Sequence, residues 1–463
     1  MHTINHRGNA AANRVIRGRV FWLALPAVGE QLLNTLVGLV DIYLVGNLSS
    51  AASAQLGYGS ATALTATGLG NQFTWLMMVL FMATGVGAAA LVARSVGARD
   101  PASLQRILRQ TFVLATLVGL ITTLLGFFLA PSFLALIAAP LEARPIGVSY
   151  IQINAMAFLP AVFLLVGTAC MRAAGDTRTP LMLMLGVNLI NIITSWLLVN
   201  GELGLPTLGV DGAALGSALA RTVGGIVMVG LLLRGHGVLK LIPSLQPDGT
   251  MLARLIKIGL PTAGEQFAFH AALLIFVRFV TGLGTTVFAA HNVTIYIESL
   301  SFLPGMGYAA ATGALVGQAL GAGKPHQAER YTYEALWQGG LMMSLLGALM
   351  FLIPGPIVAI FSNDPGVVAA ATPILRAAGL MQPALAVSFI ILGALRGAGD
   401  TRWPLMSRIL TTWVMRLPLT FLLVGVLDLG LAGIWLAMAT DFTLQAIMAL
   451  WRFAAGHWKR IEV

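Results

Sequence analysis

Long apolar runs alternate along the chain with short stretches rich in Gly, Pro and charge, and this pattern recurs twelve times. The runs cover roughly 19–46, 53–93, 102–130, 143–171, 179–200, 209–233, 252–281, 286–319, 327–353, 366–395, 403–427 and 431–455. A helix needs ~20 apolar residues to cross the hydrocarbon of a bilayer, and each run reaches that length. The second and eighth are long enough to tilt, kink or extend beyond it. A stretch such as "TFVLATLVGLITTLLGFFLA", Thr111 to Ala130, shows none of the two-residue alternation of a transmembrane barrel. The pattern predicts an all-α integral membrane protein with twelve transmembrane helices.

Composition narrows the picture further. Of 463 residues 57% are hydrophobic and 10% charged, and the mean hydropathy is +0.86. A soluble domain carries roughly 25% charged residues. The net charge of +10 raises the question of nucleic acid, and its distribution answers it. With the N-terminus placed in the cytoplasm, 22 of the 27 Lys and Arg residues fall at cytoplasmic span ends, and only Arg144 lies in an external loop. That is the positive-inside pattern, with both termini cytoplasmic and no nucleic-acid partner required. Cys170 is the only cysteine, which excludes an intrachain disulfide. The first span is expected to act as its own uncleaved targeting signal.

The sequence is also written twice. "MRAAGDTRTPLM" (Met171–Met182) and "LRGAGDTRWPLM" (Leu395–Met406) match at nine of twelve positions, 224 residues apart. "LPAVGEQL" at Leu25 returns as "LPTAGEQF" at Leu260, and "ALVARSVGARDP" at Ala90 returns as "ALVGQALGAGKP" at Ala314. Six spans per half is an even number, so both halves enter from one side. This predicts two pseudo-two-fold-related six-helix bundles around a central cavity, the parallel-repeat plan of a secondary transporter. The expected division is 1–233, a cytoplasmic connector 234–251, and 252–463. In the repeated dozen, Gly175 and Gly399 suit helix C-termini. Asp176 and Asp400 suit N-caps, and Pro180 and Pro404 suit first turns.

The paired "GDTR" loops, "VDIYLVGNL" in the first span and "LVGQALGAGKP" after the eighth resemble the MATE multidrug and toxic-compound extrusion transporters. Asp41 and "ESLSFLPGMGYAAATGALVGQALGAG" are similar to the bacterial DinF-like branch. The resemblance spans nearly the whole chain. It implies a multi-pass protein of the bacterial cytoplasmic (inner) membrane that expels amphipathic, often cationic compounds in exchange for H+ or Na+. It implies no cofactor, and a monomer is expected.

An ionisable group at bilayer depth is by default a functional hypothesis. Asp41 sits amid "TLVGLVDIYLVG" and corresponds to the family's first-helix acid. A carboxylate in an apolar cavity can cycle a proton, or supply oxygen ligands to Na+. Where members of this branch carry a second acid four residues after Asn191, this chain has Ser195, one turn along the same face. Asn154, Asn188 and Asn191 then complete a polar cluster around Asp41, or pack helices together.

Other charged positions carry alternative readings. Glu30 and Glu265 each follow a proline, Pro26 and Pro261, by four residues. They either re-satisfy the backbone that a proline hinge frees or couple ions. Where relatives place a seventh-span acid this chain has Phe269, followed by His270. Glu298 and His291, seven apart on the eighth span, share a face, and His291 or His270 is a candidate proton relay. Arg416 and Asp441, in the middle of spans eleven and twelve, are expected to form a structural ion pair. Arg221, Arg278 and Arg376 stay unassigned.

The chemistry points to an ion-coupled drug antiporter. A lipid-linked precursor flippase of the same superfamily is the alternative, and it would want several basic residues facing a pyrophosphate. An enzyme is disfavoured: the chain lacks H-E-x-x-H, an Asp-rich phosphate site and a nucleophile–His–acid set.

Overall fold

The computed structural model describes residues 3–243 and 246–461, with side chains from residue 14 onward. The side chain of Arg7, one of the N-terminal basic residues, lies outside the described residues, as do Ser244 and Leu245 of the connector. The described chain is nearly all helix.

The first half comprises α1 (Thr3–Gly46), the short α2 (Ser50–Leu56), α3 (Ser60–Ala98), α4 (Pro101–Leu136), α5 (Arg144–Met156), α6 (Phe158–Ala174), α7 (Arg178–Val199) and α8 (Val210–Arg234). The second comprises α9 (Gly249–Thr281), α10 (Thr285–Gly321), α11 (Pro325–Leu352), the short α12 (Pro354–Ala359) and α13 (Pro365–Gly397). It ends with α14 (Arg402–Val426) and α15 (Gly430–Ala454). Among the described residues ten helices are long and apolar enough to cross a membrane, and α5 with α6 forms an eleventh span bent by 55°. The 37-residue α10 is long enough to cross and covers the remaining apolar run at 286–319. Their limits lie close to those of the apolar runs.

Prolines explain the irregularities. Pro160 has no N–H to offer Met156, so the fourth span breaks at Ala157. Pro418 lies between two π-helical stretches of α14, Ile409–Arg416 and Phe421–Val426, where the backbone re-pairs around the missing donor.

The chain packs as two compact units. The N-unit is 29–92 with 100–259, and the C-unit is 1–28, 93–99 and 260–463. The division thus differs from the expected halves: it falls inside α1, near the end of α3 and inside α9, and the whole connector joins the N-unit. The cause is packing along continuous helices. Ile16, Val20, Leu23, Ala24 and Val28 of α1 share one buried cluster with Ala311, Leu315 and Ile390 of α10 and α13. Gly97 of α3 lies so close to α10 that a Cβ there would stand 1.9 Å from the Gln318 carbonyl oxygen.

In the N-unit, Val45, Ala63, Tyr150, Val199, Val210 and Ala214 pack a core between α1, α3, α5, α7 and α8. Between membrane helices such contacts hold by close packing, because lipid tails are as apolar as the side chains themselves. Small residues follow from that: a Cβ on Gly216 of α8 would meet the Ser195 hydroxyl at 2.1 Å. Cys170 is wholly buried in α6.

Both repeated dozens close their helices alike. Gly175 (φ 99°) and Gly399 (φ 88°) adopt the left-handed conformation. The next amides, Asp176 N–H and Asp400 N–H, reach back to the carbonyls of Met171 and Leu395 at 2.9 and 2.8 Å, the Schellman closure. The carboxylates then part ways. Asp176 Oδ1 accepts from the amides of Arg178 and Thr179, both at 3.0 Å, and so caps α7 as expected. Asp400 turns instead to Arg452 Nε at 2.8 Å, because α15 brings a guanidinium to that loop.

Candidate functional site: a buried carboxylate cluster

Asp41 lies on α1 and is 2% exposed. Its Oδ2 accepts from the Ser217 hydroxyl of α8 at 2.5 Å. Its Oδ1 accepts from Asn191 Nδ2 and the Ser195 hydroxyl of α7, both at 3.2 Å. Asn191 Nδ2 also reaches Ser195 Oγ at 3.3 Å and Ser217 Oγ at 3.1 Å. Three helices thus enclose one carboxylate with an amide and two hydroxyls. The four-residue spacing of Asn191 and Ser195 places both on the face that meets α1.

The remaining asparagines stand further out. Asn188 donates to the Met184 carbonyl of its own helix at 2.8 Å. Asn154 donates to the Tyr150 carbonyl at 3.0 Å, and its Oδ1 accepts from Arg221 Nη1 at 3.1 Å. Neither bonds Asp41, whose direct hydrogen-bond partners are Asn191, Ser195 and Ser217. Ser217 escaped sequence reasoning, and Arg221 stood out there only as an unassigned charge. Both lie in "DGAALGSALARTVGG", where a Gly/Ala stripe dominates, and their one-turn spacing was the available signal. The Oδ1 atoms of Asn188 and Asn191 are buried without a hydrogen-bond partner.

The C-unit holds a second buried polar group. Arg416 Nη1 lies 3.6 Å from Asp441 Oδ2, and the Thr412 hydroxyl donates to that oxygen at 3.2 Å. The Arg416 guanidinium also sits over the Phe276 ring at 3.9 Å. Glu298 and His291 of α10 are buried, with Glu298 Oε1 and His291 Nδ1 lacking a hydrogen-bond partner. The His291 ring meets Trp435 edge-on at 5.8 Å. His270 is half-buried beside the Phe269 ring at 5.7 Å.

Glu30 and Glu265 find arginines. Glu30 Oε1 pairs with Arg172 Nη1. Both oxygens of Glu265 accept from Arg396 Nη2, at 2.7 and 2.9 Å. Pro26 and Pro261 both lie inside continuous helices, so neither breaks its span.

The MatE family model matches residues 26–197 and 261–422, one stretch in each half of the sequence repeat. The chain belongs to the MATE family. A probable multidrug resistance protein NorM of Thermotoga maritima is 31% identical over 457 residues, covering 97% of this chain and 94% of its own. The multidrug resistance protein PmpM of Pseudomonas aeruginosa is 28% identical over 441 residues, covering 93% and 90%. Among solved structures, a MATE protein in its bent conformation superposes with a TM-score of 0.87 at 21% identity, covering 97% of this chain and 98% of that one. An outward-facing multidrug resistance MATE transporter gives 0.85 at 21% identity, covering 96% and 97%. The MATE fold therefore extends over essentially the entire chain. MATE proteins are transporters rather than enzymes, and this one is a multi-pass membrane protein.

Proposed function

We infer that this MATE protein is a secondary antiporter that exports amphipathic, often cationic compounds by alternating access, driven by inward H+, with Asp41 as the coupling group. The observation that carries this reading is the makeup of the Asp41 shell. Two of its three donors are hydroxyls, from Ser195 and Ser217. A hydroxyl donates to an ionised carboxylate and accepts from a protonated one, so the shell satisfies both states by rotating two bonds. The chain works in a bacterial inner membrane, with both termini and both "GDTR" loops on the cytoplasmic side, and as a monomer. A second reading, Na+ coupling, draws on the partnerless buried Oδ1 atoms of Asn188 and Asn191, which together with Asp41 offer oxygen ligands.

The test is reconstitution in liposomes with an imposed proton or sodium gradient and ethidium as cargo, wild type against Asp41→Asn. A proton gradient should drive transport in the wild type and fail to in the variant. Undiminished gradient-driven transport by Asp41→Asn removes Asp41 as the coupling site, and sodium-driven transport favours the second reading. Absence of drug movement under either gradient shifts the assignment to a lipid-linked precursor flippase.

A further inference from the structure

Asp41 is closed off towards the end of the spans that lies away from the "GDTR" loops. One turn outward from it on α1 stands Val45, and one turn outward from Ser195 on α7 stands Val199. Ala213 and Ala214 stand one turn outward from Ser217 on α8. All four are wholly buried, and they share one apolar cluster with Leu48 and with Ala52 of α2. Such a layer offers water no hydrogen-bond partner, so it stays dry.

The short helix α2 is seated on this layer. Ser49 Oγ caps it by accepting from the Ala52 amide at 3.1 Å, and Gly57 (φ 73°) closes it. The turns on either side are tied down. Asn200 Oδ1, past the end of α7, accepts from the Ser49 amide at 3.2 Å, and the Tyr58 hydroxyl accepts from the Val210 amide of α8 at 3.2 Å. Asp211, the next residue of α8, keeps a buried Oδ1 without a hydrogen-bond partner. It stands about 9 Å outward from Ser217 along the helix axis. In the second half Gly282, Leu283 and Gly284 alone stand between α9 and α10. The register that sets Leu25 against Leu260 also sets Asp41 against Phe276, so the half with the extra helix is the half with the acid.

We propose that α2 is the outer lid of the Asp41 site: seated, it keeps external protons from the carboxylate, and its release from Asn200 and Val210 opens the way past Val45, Val199 and Ala214. A coupling group open to both sides at once would leak protons without moving cargo, so alternating access needs such a closure on the outside. Asp211, at the mouth, has a free oxygen to take up the entering proton first. The lid rests on the antiporter reading and adds to it the gate through which the driving ion enters.

Proton uptake without cargo, followed by pyranine trapped in proteoliposomes under a proton gradient, tests the opening. Tyr58→Phe should raise uptake about fivefold, the effect of losing one hydrogen bond on an opening equilibrium. Val45→Ser, which wets the layer, should raise it in the same sense. Adding Asp41→Asn to either should return uptake to the wild-type level. No rise in variants that elute like wild type overturns the proposal, and so does a rise that Asp41→Asn leaves in place. Ser49→Cys with Asn200→Cys tests the closing, because Cys170 is wholly buried and only the new pair is free to oxidise. Oxidation should lower proton-driven ethidium transport by about tenfold or more by holding the two turns together, and dithiothreitol should restore it. Undiminished transport by the oxidised protein overturns the lid. A wild type that moves no ethidium overturns the antiporter reading itself, and the uptake comparison then still decides the lid.

Discussion

Arg396 Nη2 donates to both carboxylate oxygens of Glu265, and Arg172, its equivalent 224 residues earlier, pairs with Glu30, the equivalent of Glu265. The first arginine of each repeated dozen therefore ties the fourth span of its half to the first, one turn past the proline. Both acids are about 3% exposed, so the pair is costly to break from one side. Glu265→Gln should destabilise the detergent-solubilised protein by about 2–3 kcal/mol, below the ~3–5 kcal/mol of a fully buried pair because Arg396 is partly exposed. The charge swap Glu265→Arg with Arg396→Glu should recover part of the loss. Thermal unfolding of the two single variants and the double variant measures the coupling, and additive losses would mean the contact contributes nothing.

The Asp41 shell makes a finer prediction than the removal of its carboxylate. Ser217→Ala deletes the shortest bond to Asp41, and a hydrogen bond to a charged group is worth about 1.5–3 kcal/mol. Proton-driven ethidium transport should fall by roughly tenfold, while Ser217→Thr should keep most of it. Equal rates for the Ala and Thr variants would show that the hydroxyl is not used.

Acid sensitivity should come partly from the loop before α9. The Thr250 hydroxyl and Arg106 hold Asp248 down from 3.8 to about 2. A carboxylate depressed on folding adds stability that is fully present above its ordinary value and is lost as pH falls through its folded one. The contribution should therefore disappear between about pH 4 and pH 2. Asp248→Asn should unfold at a lower temperature than wild type at pH 6, and the two should converge towards pH 2, as read by intrinsic fluorescence. An unchanged gap down to pH 2 would assign the difference to something other than the charge.

The dozens differ at three places, and each difference has a local cause. Gly397 stands where the first half has Ala173, because a Cβ at 397 would lie 2.1 Å from the Gly313 carbonyl oxygen of α10. Trp403 replaces Thr179; it stacks near Trp451 and lies under Arg452, whereas Thr179 bonds His236. Met171 and Leu395 are both fully buried and exchange one apolar volume for another. Gly397→Ala should cost about 1–3 kcal/mol by forcing α10 and α13 apart. Ala173→Gly should cost only about 1 kcal/mol through helix propensity. Comparable losses in paired thermal melts would contradict the close approach.

Much of this architecture is legible in the sequence because the bilayer imposes it. Apolar length fixes a span, so Arg178–Val199 and Val210–Arg234 emerge within a residue or so of the runs at 179–200 and 209–233. Asp41, Asn191 and Ser195 are legible for the same reason: polar groups stand out in an apolar run. What the pattern hides is contact across helices. Ser217 looks like one more small residue until α1 lies beside it, and Asn154 looks like a neighbour of Asp41 until Arg221 claims its oxygen. The bend at Ala157 and the π turns around Pro418 were written in the prolines, but apolar counting does not register them.

Cys170 gives the chain one further property. It is the single thiol in 463 residues and is wholly enclosed within α6. A maleimide dye will therefore find no native target in the folded protein. A cysteine introduced at Leu203 or Lys240, both on exposed connections of the N-unit, becomes the sole labelled position. The natural sequence is in this respect already a background for fluorescence and spin-probe spectroscopy, in which movements during a transport cycle can be followed without first removing anything.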